Sequence, residues 1–422
     1  VSPRGNTRAP TPQPGNDPPV LRTADLDYHL PDELVATHPA EPRDAARLMV
    51  VRRSGGDGGG AEGAAGPIEH TVVSELPRFL TRGDLLVVNT TRVLPARFVG
   101  LRRDTGGGVE GLYLADAPAA GGGSGPLRWV AMLKAGNVRP GMVFDLARPG
   151  EATGVAVRAV ERTSTLKGDP DDGAWVVEVE GAGPGTRSAD VLARVGLTPL
   201  PPYIRSARKR RGEAVPDATD QRDYQTAYAH GDAASPVGHG PTAGSVAAPT
   251  AGLHFTPALL DRLAHEGVER REVVLHVGAG TFKPVETELV EQHPIHAEWC
   301  AVPPETAAAV AARLGGAGAA GAPAAGRVIA VGTTTARTLE SFASLVGPGP
   351  FEHATRLLIA PGRPFRHVHG LLTNFHLPRS SLMALVAALF PEGAPRLLAL
   401  YREAVERHYR FYSYGDAMLI LP

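Results

Sequence analysis

Between Gly83 and about Glu180 the chain reads as seven short strands with no helical period between them, and this run limits the fold more than any other feature. Asp84–Val88, Val93–Leu101, Val109–Ala115, Leu127–Leu133, Met142–Leu146, Gly154–Val160 and Trp175–Val179 are rich in Val and Leu and are parted by Gly, Pro or Asp turns. Such spacing predicts a small antiparallel barrel or sandwich. After Gly196 the pattern changes. Thr256-Pro257 pairs a hydroxyl N-cap with Pro at the first helical position, predicting a helix to about His265. Strands at Arg271–Val277, Arg327–Val331, Thr355–Ile359 and Ala417–Leu421 then alternate with helices at Pro304–Leu314, Thr335–Leu345, Ser380–Phe390 and Ala394–His408. That alternation marks an α/β unit. The segment before Gly83 is too short to be a domain, so the β-rich block is expected to be an insertion. The expected fold class is therefore α/β: a larger α/β domain (24–92 and 190–422) with an inserted small antiparallel β-barrel domain (93–189). Val1 to about Thr23 is Pro-rich, polar and aperiodic and is expected to be a disordered leader.

Composition removes several function classes. At 422 residues with a formal net charge of −1, the chain carries no global electrostatic footprint for nucleic acid or membrane, so any nucleic-acid contact must be local. A single cysteine, Cys300, excludes an intramolecular disulfide and a Cys-rich zinc site, which fits a reducing compartment. There is neither a bilayer-length apolar run nor a signal-peptide pattern at the start, so no membrane association and a cytoplasmic location are expected. Gly55–Gly66 and Gly315–Gly326 contain formal glycine fingerprints, but neither follows a strand and opens a helix, so both read as linkers.

Three stretches concentrate chemistry. Gly244-Ser-Val-Ala-Ala-Pro-Thr250-Ala-Gly252-Leu-His254-Phe, Leu275-His276-Val-Gly278-Ala-Gly280-Thr281 and Thr373-Asn374-Phe-His376-Leu-Pro378 each set a His beside small or hydroxyl residues, as a shared pocket would require. A lone His is usually a satisfied core residue; three in such settings raise the case for proton transfer or ligand contact. Arg327–Arg337 reads as a strand, a glycine turn and a helix opening on Thr333 and Thr334. An anion could sit at that helix start with Arg337 nearby, or the hydroxyls could simply cap the helix. No Gly-Lys pair exists, which argues against a Walker phosphate loop. Val277–Thr281 resembles the S-adenosylmethionine loop of Rossmann methyltransferases, yet Phe282-Lys-Pro284 is not a helix start. His293 and His296 with Glu298 flank Pro294 and cannot share a helix face, so structural roles are expected and no metal site. Five cations between Arg205 and Arg211, with Tyr203, Tyr224 and Tyr228 nearby, could grip and stack RNA or form a solvated face.

Taken in order, Asp27–Pro31, His38–Asp44, Gly83–Arg97, Leu200–Ile204, Asp223–Tyr228, the Gly244–Phe255 motif, Thr373–Pro378 and Phe411-Tyr-Ser-Tyr-Gly-Asp416 closely resemble the S-adenosylmethionine:tRNA ribosyltransferase-isomerase family of queuosine biosynthesis, from about residue 24 to the end. The resemblance implies transfer and isomerisation of the ribosyl group of S-adenosylmethionine onto 7-aminomethyl-7-deazaguanine in tRNA, giving epoxyqueuosine-tRNA with loss of adenine and methionine. S-adenosylmethionine is then a substrate and no resident cofactor is expected. The other partner is the tRNA anticodon region, and the protein is expected to be a monomer or weak homo-oligomer. On this reading His254 and His376 share proton transfer. Thr250, Gly252, His276, Gly278, Gly280, Thr281 and Asn374 bind substrate, Thr333, Thr334 and Arg337 take its carboxylate or a phosphate, and Arg92 and Arg97 contact phosphate.

Two departures from the family pattern stand out. Asn89-Thr-Thr-Arg92 replaces Asn-Asp-Thr-Arg, and Val368-His369 replaces Val-Asp. Loss of two carboxylates that could orient an amine or hold a ribose hydroxyl keeps open a paralogue with another acceptor. The loop His230–Ala243 is also longer. A methyltransferase and a noncatalytic RNA-binding protein are the readings from other classes.

Overall fold

The computed structural model describes residues 20–53, 66–118, 125–148, 151–163, 173–183, 185–229, 244–278, 284–315, 326–347, 349 and 351–422. The glycine-rich stretches 54–65 and 316–325, the loop 230–243, residues 1–19, and Gly280 and Thr281 lie outside them. Leu21 to Thr23, expected in the leader, are instead packed. Leu21 is buried, and the Thr23 hydroxyl donates to the carbonyl of Thr287 at 2.7 Å.

Fifteen strands are described: β1 (Arg47–Arg52), β2 (Ile68–Val72), β3 (Leu85–Asn89), β4 (Arg97–Arg102), β5 (Gly108–Asp116), β6 (Arg128–Lys134), β7 (Val143–Arg148), β8 (Glu151–Arg162), β9 (Ala174–Glu180), β10 (Glu269–Leu275), β11 (Glu298–Val302), β12 (Val328–Val331), β13 (Phe351–Thr355), β14 (Gly370–Asn374) and β15 (Ala417–Leu421). The helices are α1 (Ser188–Val195), α2 (Pro202–Arg211), α3 (Asp217–Asp223), α4 (Pro257–His265), α5 (Pro304–Leu314), α6 (Thr333–Glu340), α7 (Ser381–Ala387) and α8 (Ala394–Glu406). None is long and apolar enough to cross a membrane.

Nine strands form one mixed sheet in the order β13-β11-β10-β3-β12-β14-β15-β1-β2. At its centre β10, β3, β12 and β14 run parallel, a placement that demands apolar residues on both faces. The sequence meets it: every residue of Leu85-Leu-Val-Val-Asn89 and of Val328-Ile-Ala-Val331 is buried. The other six, β4-β5-β6-β9-β8-β7, close into an antiparallel barrel. Barrel strands alternate buried and half-exposed positions, filling the interior with Phe98, Tyr113, Trp129, Phe144, Val157 and Val177. A side chain at Gly111 would place its Cβ 2.1 Å from the Phe98 ring, so the glycine makes room for that phenyl group. Trp129 Nε1 donates to Ser188 Oγ at 2.8 Å and fastens α1 to the barrel.

The strand run that began the sequence reading thus splits. Its first member, expected at Asp84–Val88, lies in the middle of the large sheet, because four consecutive apolar residues suit a strand buried on both faces; the following six make the barrel. Thr256 caps α4, its hydroxyl accepting the Leu259 N–H at 3.1 Å. The strand expected at Thr355–Ile359 is displaced to Phe351–Thr355, where it pairs antiparallel with β11.

Candidate active site

The sheet delivers three loops to one place. Val277 follows β10, Gly332 to Thr334 follow β12, and Phe375 to Leu377 follow β14; these strands are parallel, so all three segments leave the same carboxyl edge. Open α/β sheets bind their ligands at that edge. The Ala248–Ala251 segment crosses it, and Tyr203, Tyr412 and Ser413 close the far wall. Together they line a cleft of about 40 Å³, well below the roughly 300–1000 Å³ of typical ligand pockets. A cavity of about 1410 Å³ elsewhere, walled by Arg53, Phe365 and Phe390, contains none of the three motifs.

His376 is the titratable group of the cleft. Its backbone is held from both sides: the N–H donates to Tyr401 Oη at 2.9 Å, and the carbonyl accepts from Tyr28 Oη at 2.5 Å. Thr373 Oγ1 lies 2.8 Å from Nε2 and donates to the Asn374 carbonyl at 3.4 Å. The neutral ring carries one N–H and one acceptor nitrogen, and which nitrogen carries the proton sets the direction of the Thr373 contact. Burial pushes the pKa down to about 3, so the ring is neutral at physiological pH.

The same shift makes His376 a source of acid sensitivity. Its folded pKa lies below the ordinary 6.5, so as pH falls from 6.5 toward 3 the unfolded chain takes a proton that the folded protein refuses. Stability is therefore fully present above 6.5 and declines through that window, by at most about 1.4 kcal/mol per pH unit for this group. Urea unfolding between pH 4 and 7 should show a shallower decline for His376→Gln; equal slopes in the two proteins would contradict the assignment.

Asn374 ties the motifs together, its Oδ1 accepting from the Thr250 hydroxyl at 2.9 Å and its Nδ2 donating to the Tyr412 carbonyl at 3.1 Å. Tyr412 adopts φ 72°, a left-handed conformation that a bulky residue rarely holds, and its ring packs 4.6 Å from that of Tyr203. Sequence reasoning gave neither tyrosine a place in this cleft. The available signal was the Phe411–Asp416 motif, whose tight turn puts Tyr412 and Ser413 on the wall. On the opposite side Gly332, at φ 88°, turns the chain from β12 into α6 with no side-chain cap. Thr334 beside it is buried, and among the described residues its hydroxyl has no partner.

Other expected site residues are placed differently. His254 does not line the cleft: Nδ1 lies 3.0 Å from the Ala251 carbonyl and Nε2 3.0 Å from that of Gly415, so neither nitrogen is free. Burial lowers its pKa against the pull of those two carbonyls. Gly252 faces the Tyr228 hydroxyl, which a Cβ would meet at 2.1 Å. His276 packs edge-on against Trp299 beneath the loop, and burial lowers its pKa to about 4. Arg337 is ion-paired at 2.5 Å with buried Glu298, which accepts the Gly278 N–H at 2.7 Å. Through Glu298 it helps hold the Val277–Gly278 loop in place.

Of the cations in the basic run Arg208 alone is buried; Lys209, Arg210 and Arg211 stay exposed, though several of the arginines are engaged. Arg208 is buried, donating to Asp220 and to the Thr37 carbonyl; Arg211 donates to the carbonyls of Asp32, Glu33 and Val35; Arg205 and Arg210 pair with Glu110 and Asp32. These arginines clasp α2 to the N-terminal segment and to the barrel. Tyr224 and Tyr228 are buried and present no face for a base. Arg97 shares Glu110 with Arg205 and donates to the Thr198 carbonyl, while Arg92 is exposed in another cavity. Neither departure from the family pattern reaches the cleft. Thr90 is buried beside β10, its N–H donating to the Val273 carbonyl, and His369 Nδ1 accepts the Val328 N–H at the opposite end of β12.

Sheet, inserted barrel and carboxyl-edge cleft place the chain among two-part α/β proteins, and it belongs to the queuosine biosynthesis protein family, whose model matches residues 23–420. The S-adenosylmethionine:tRNA ribosyltransferase-isomerase of Anaeromyxobacter sp. (strain Fw109-5) is 46% identical over 95% of this chain and 99% of its own length. That of Sorangium cellulosum is 43% identical over 95% and 98%. The solved structure of an S-adenosylmethionine tRNA ribosyltransferase from Thermotoga maritima is 30% identical, covering 94% of this chain and 100% of that one with a TM-score of 0.45.

Proposed function

We propose that the protein is an S-adenosylmethionine-dependent tRNA ribosyltransferase-isomerase. It moves the ribosyl group of S-adenosylmethionine onto the aminomethyl arm of 7-aminomethyl-7-deazaguanine in the tRNA anticodon region, giving epoxyqueuosine-tRNA and releasing adenine and methionine. The observation that carries this reading is the convergence of three separated family motifs on one carboxyl-edge cleft around a neutral histidine. Such an enzyme needs no resident cofactor and works in the cytoplasm.

The reaction asks for a base, because the sulfonium acidifies the adjacent C5′ protons, and for a site shielded from water that keeps the attacking amine uncharged. Neutral His376 offers an acceptor nitrogen. The aromatic wall of Tyr203, Tyr412 and Phe375 supports such shielding. The first turn of α6 accounts for the methionine carboxylate: its N–H groups carry the positive end of the helix dipole, and the unpartnered Thr334 hydroxyl supplies a further donor. Thr334→Val should raise the Kd for S-adenosylmethionine about tenfold, the loss of one hydrogen bond to a charged group. Equilibrium dialysis giving an unchanged Kd would move the carboxylate elsewhere.

Two observations weigh against the other readings. After β10 the chain returns as the antiparallel neighbour β11, with no crossover helix between them among the described residues, whereas a Rossmann methyltransferase loop opens a helix leading to a parallel strand. Thr90 and His369 both lie outside the residues that line the cleft, which supports keeping the family's acceptor. Isotope placement separates the outcomes: label in the ribose of S-adenosylmethionine should enter tRNA while label in its methyl group stays with methionine. The reverse pattern would establish methyl transfer.

A further inference from the structure

A second cavity, of about 540 Å³, opens where the barrel meets the sheet domain and shares no lining residue with the cleft. Arg92, Arg148 and Thr198 line it together with Gln221 and Gln225, and no carboxylate does. Arg92 is exposed, and among the described residues its guanidinium has neither hydrogen-bond nor ion-pair partner. Arg148, at the end of β7, donates only to the carbonyls of Ala193 and Gly196, at 3.2 and 2.9 Å, and its buried Nε is unpartnered. Thr198 is 4% exposed, and among the described residues its buried Oγ1 has no partner. Gln225 is fully occupied by the backbone of Val93, at 3.0 and 2.7 Å.

Buried donors left unpaired are costly, and native proteins rarely keep them without a use. Two arginines free of carboxylates beside an unused hydroxyl present the donor set that phosphate oxygens satisfy. We propose that this cavity binds a backbone phosphate of the RNA substrate flanking the nucleotide held in the cleft. The inference rests on the tRNA-modifying function proposed above. Continuity of the chain links the two sites: the Ser245 N–H donates to the Arg92 carbonyl at 2.9 Å, and Ala248, three residues on, lines the cleft. Three residues span at most about 11 Å, so a phosphate near the reacting base can reach the cavity.

Thr198→Val and Arg92→Gln test this in the full-length protein. Valine matches threonine in shape and removes only the unpaired hydroxyl, so T198V should melt no lower than wild type yet bind tRNA about tenfold more weakly. R92Q should bind more weakly and flatten the dependence of log K on log salt by about 0.7–0.9, the contribution of one phosphate contact. S-adenosylmethionine affinity should be unchanged in both. Wild-type tRNA affinity and salt slope in both variants would overturn the proposal. So would loss of inorganic phosphate binding alone, which would mark a site for the free anion. Failure of the function itself reads out separately, as absence of adenine release from a wild-type protein that still shows these effects on tRNA binding.

Discussion

Replacing His376 with Gln should lower kcat for adenine release by at least about 100-fold, the low end of what a positioned proton-transfer group contributes. The fold should survive. The segment is held by backbone bonds to Tyr401 and Tyr28 that the substitution leaves alone, and the Thr373 hydroxyl keeps a polar partner within reach. Among the residues that line the cleft, His376 is the imidazole, and burial keeps it neutral. Saturating both substrates separates a loss of chemistry from a loss of binding: kcat falls while tRNA and S-adenosylmethionine still bind. A kcat within a few-fold of wild type would remove His376 from the mechanism.

His254→Ala should act on a different quantity. This ring sits between the carbonyls of Ala251 and Gly415, joining the turn that carries Thr250 to the Phe411–Asp416 motif that carries Tyr412. Removal leaves a buried carbonyl short of its donor and opens a void, together costing about 2–4 kcal/mol of stability. Urea unfolding should show that loss, while kcat per folded molecule at low temperature falls far less than in the His376 variant. Unchanged stability with a 100-fold loss of kcat would return His254 to the chemistry.

The contrast between the two histidines shows where the sequence was readable. Both stand in small-residue and hydroxyl-rich motifs, and composition treats them alike. Which one faces the cleft depends on whether a backbone carbonyl waits at each ring nitrogen, and the carbonyl at His254 Nε2 belongs to a residue 161 positions away. Local pattern carries no trace of such a contact. The barrel strands were legible because period-two burial is local, and α4 because its Thr-Pro cap is. β11 was not, since the Glu-Trp-Cys-Ala-Val run is short and its charged first residue is buried only because Arg337 pairs with it. The Arg205–Arg211 run read as an RNA grip or a solvated face, and sequence alone could not choose: carbonyls and carboxylates from other elements hold Arg205, Arg208 and Arg211, Lys209 and Arg210 stay exposed, and Arg92, a single residue in a motif, keeps its charge open.

The most direct test of the central claim is incubation of the purified protein with S-adenosylmethionine and tRNA bearing 7-aminomethyl-7-deazaguanine, following free adenine and the mass of the modified nucleoside together. Adenine should appear in step with a nucleoside carrying the mass of epoxyqueuosine. S-adenosylhomocysteine in place of adenine, or adenine with no mass gain on the tRNA, would contradict it.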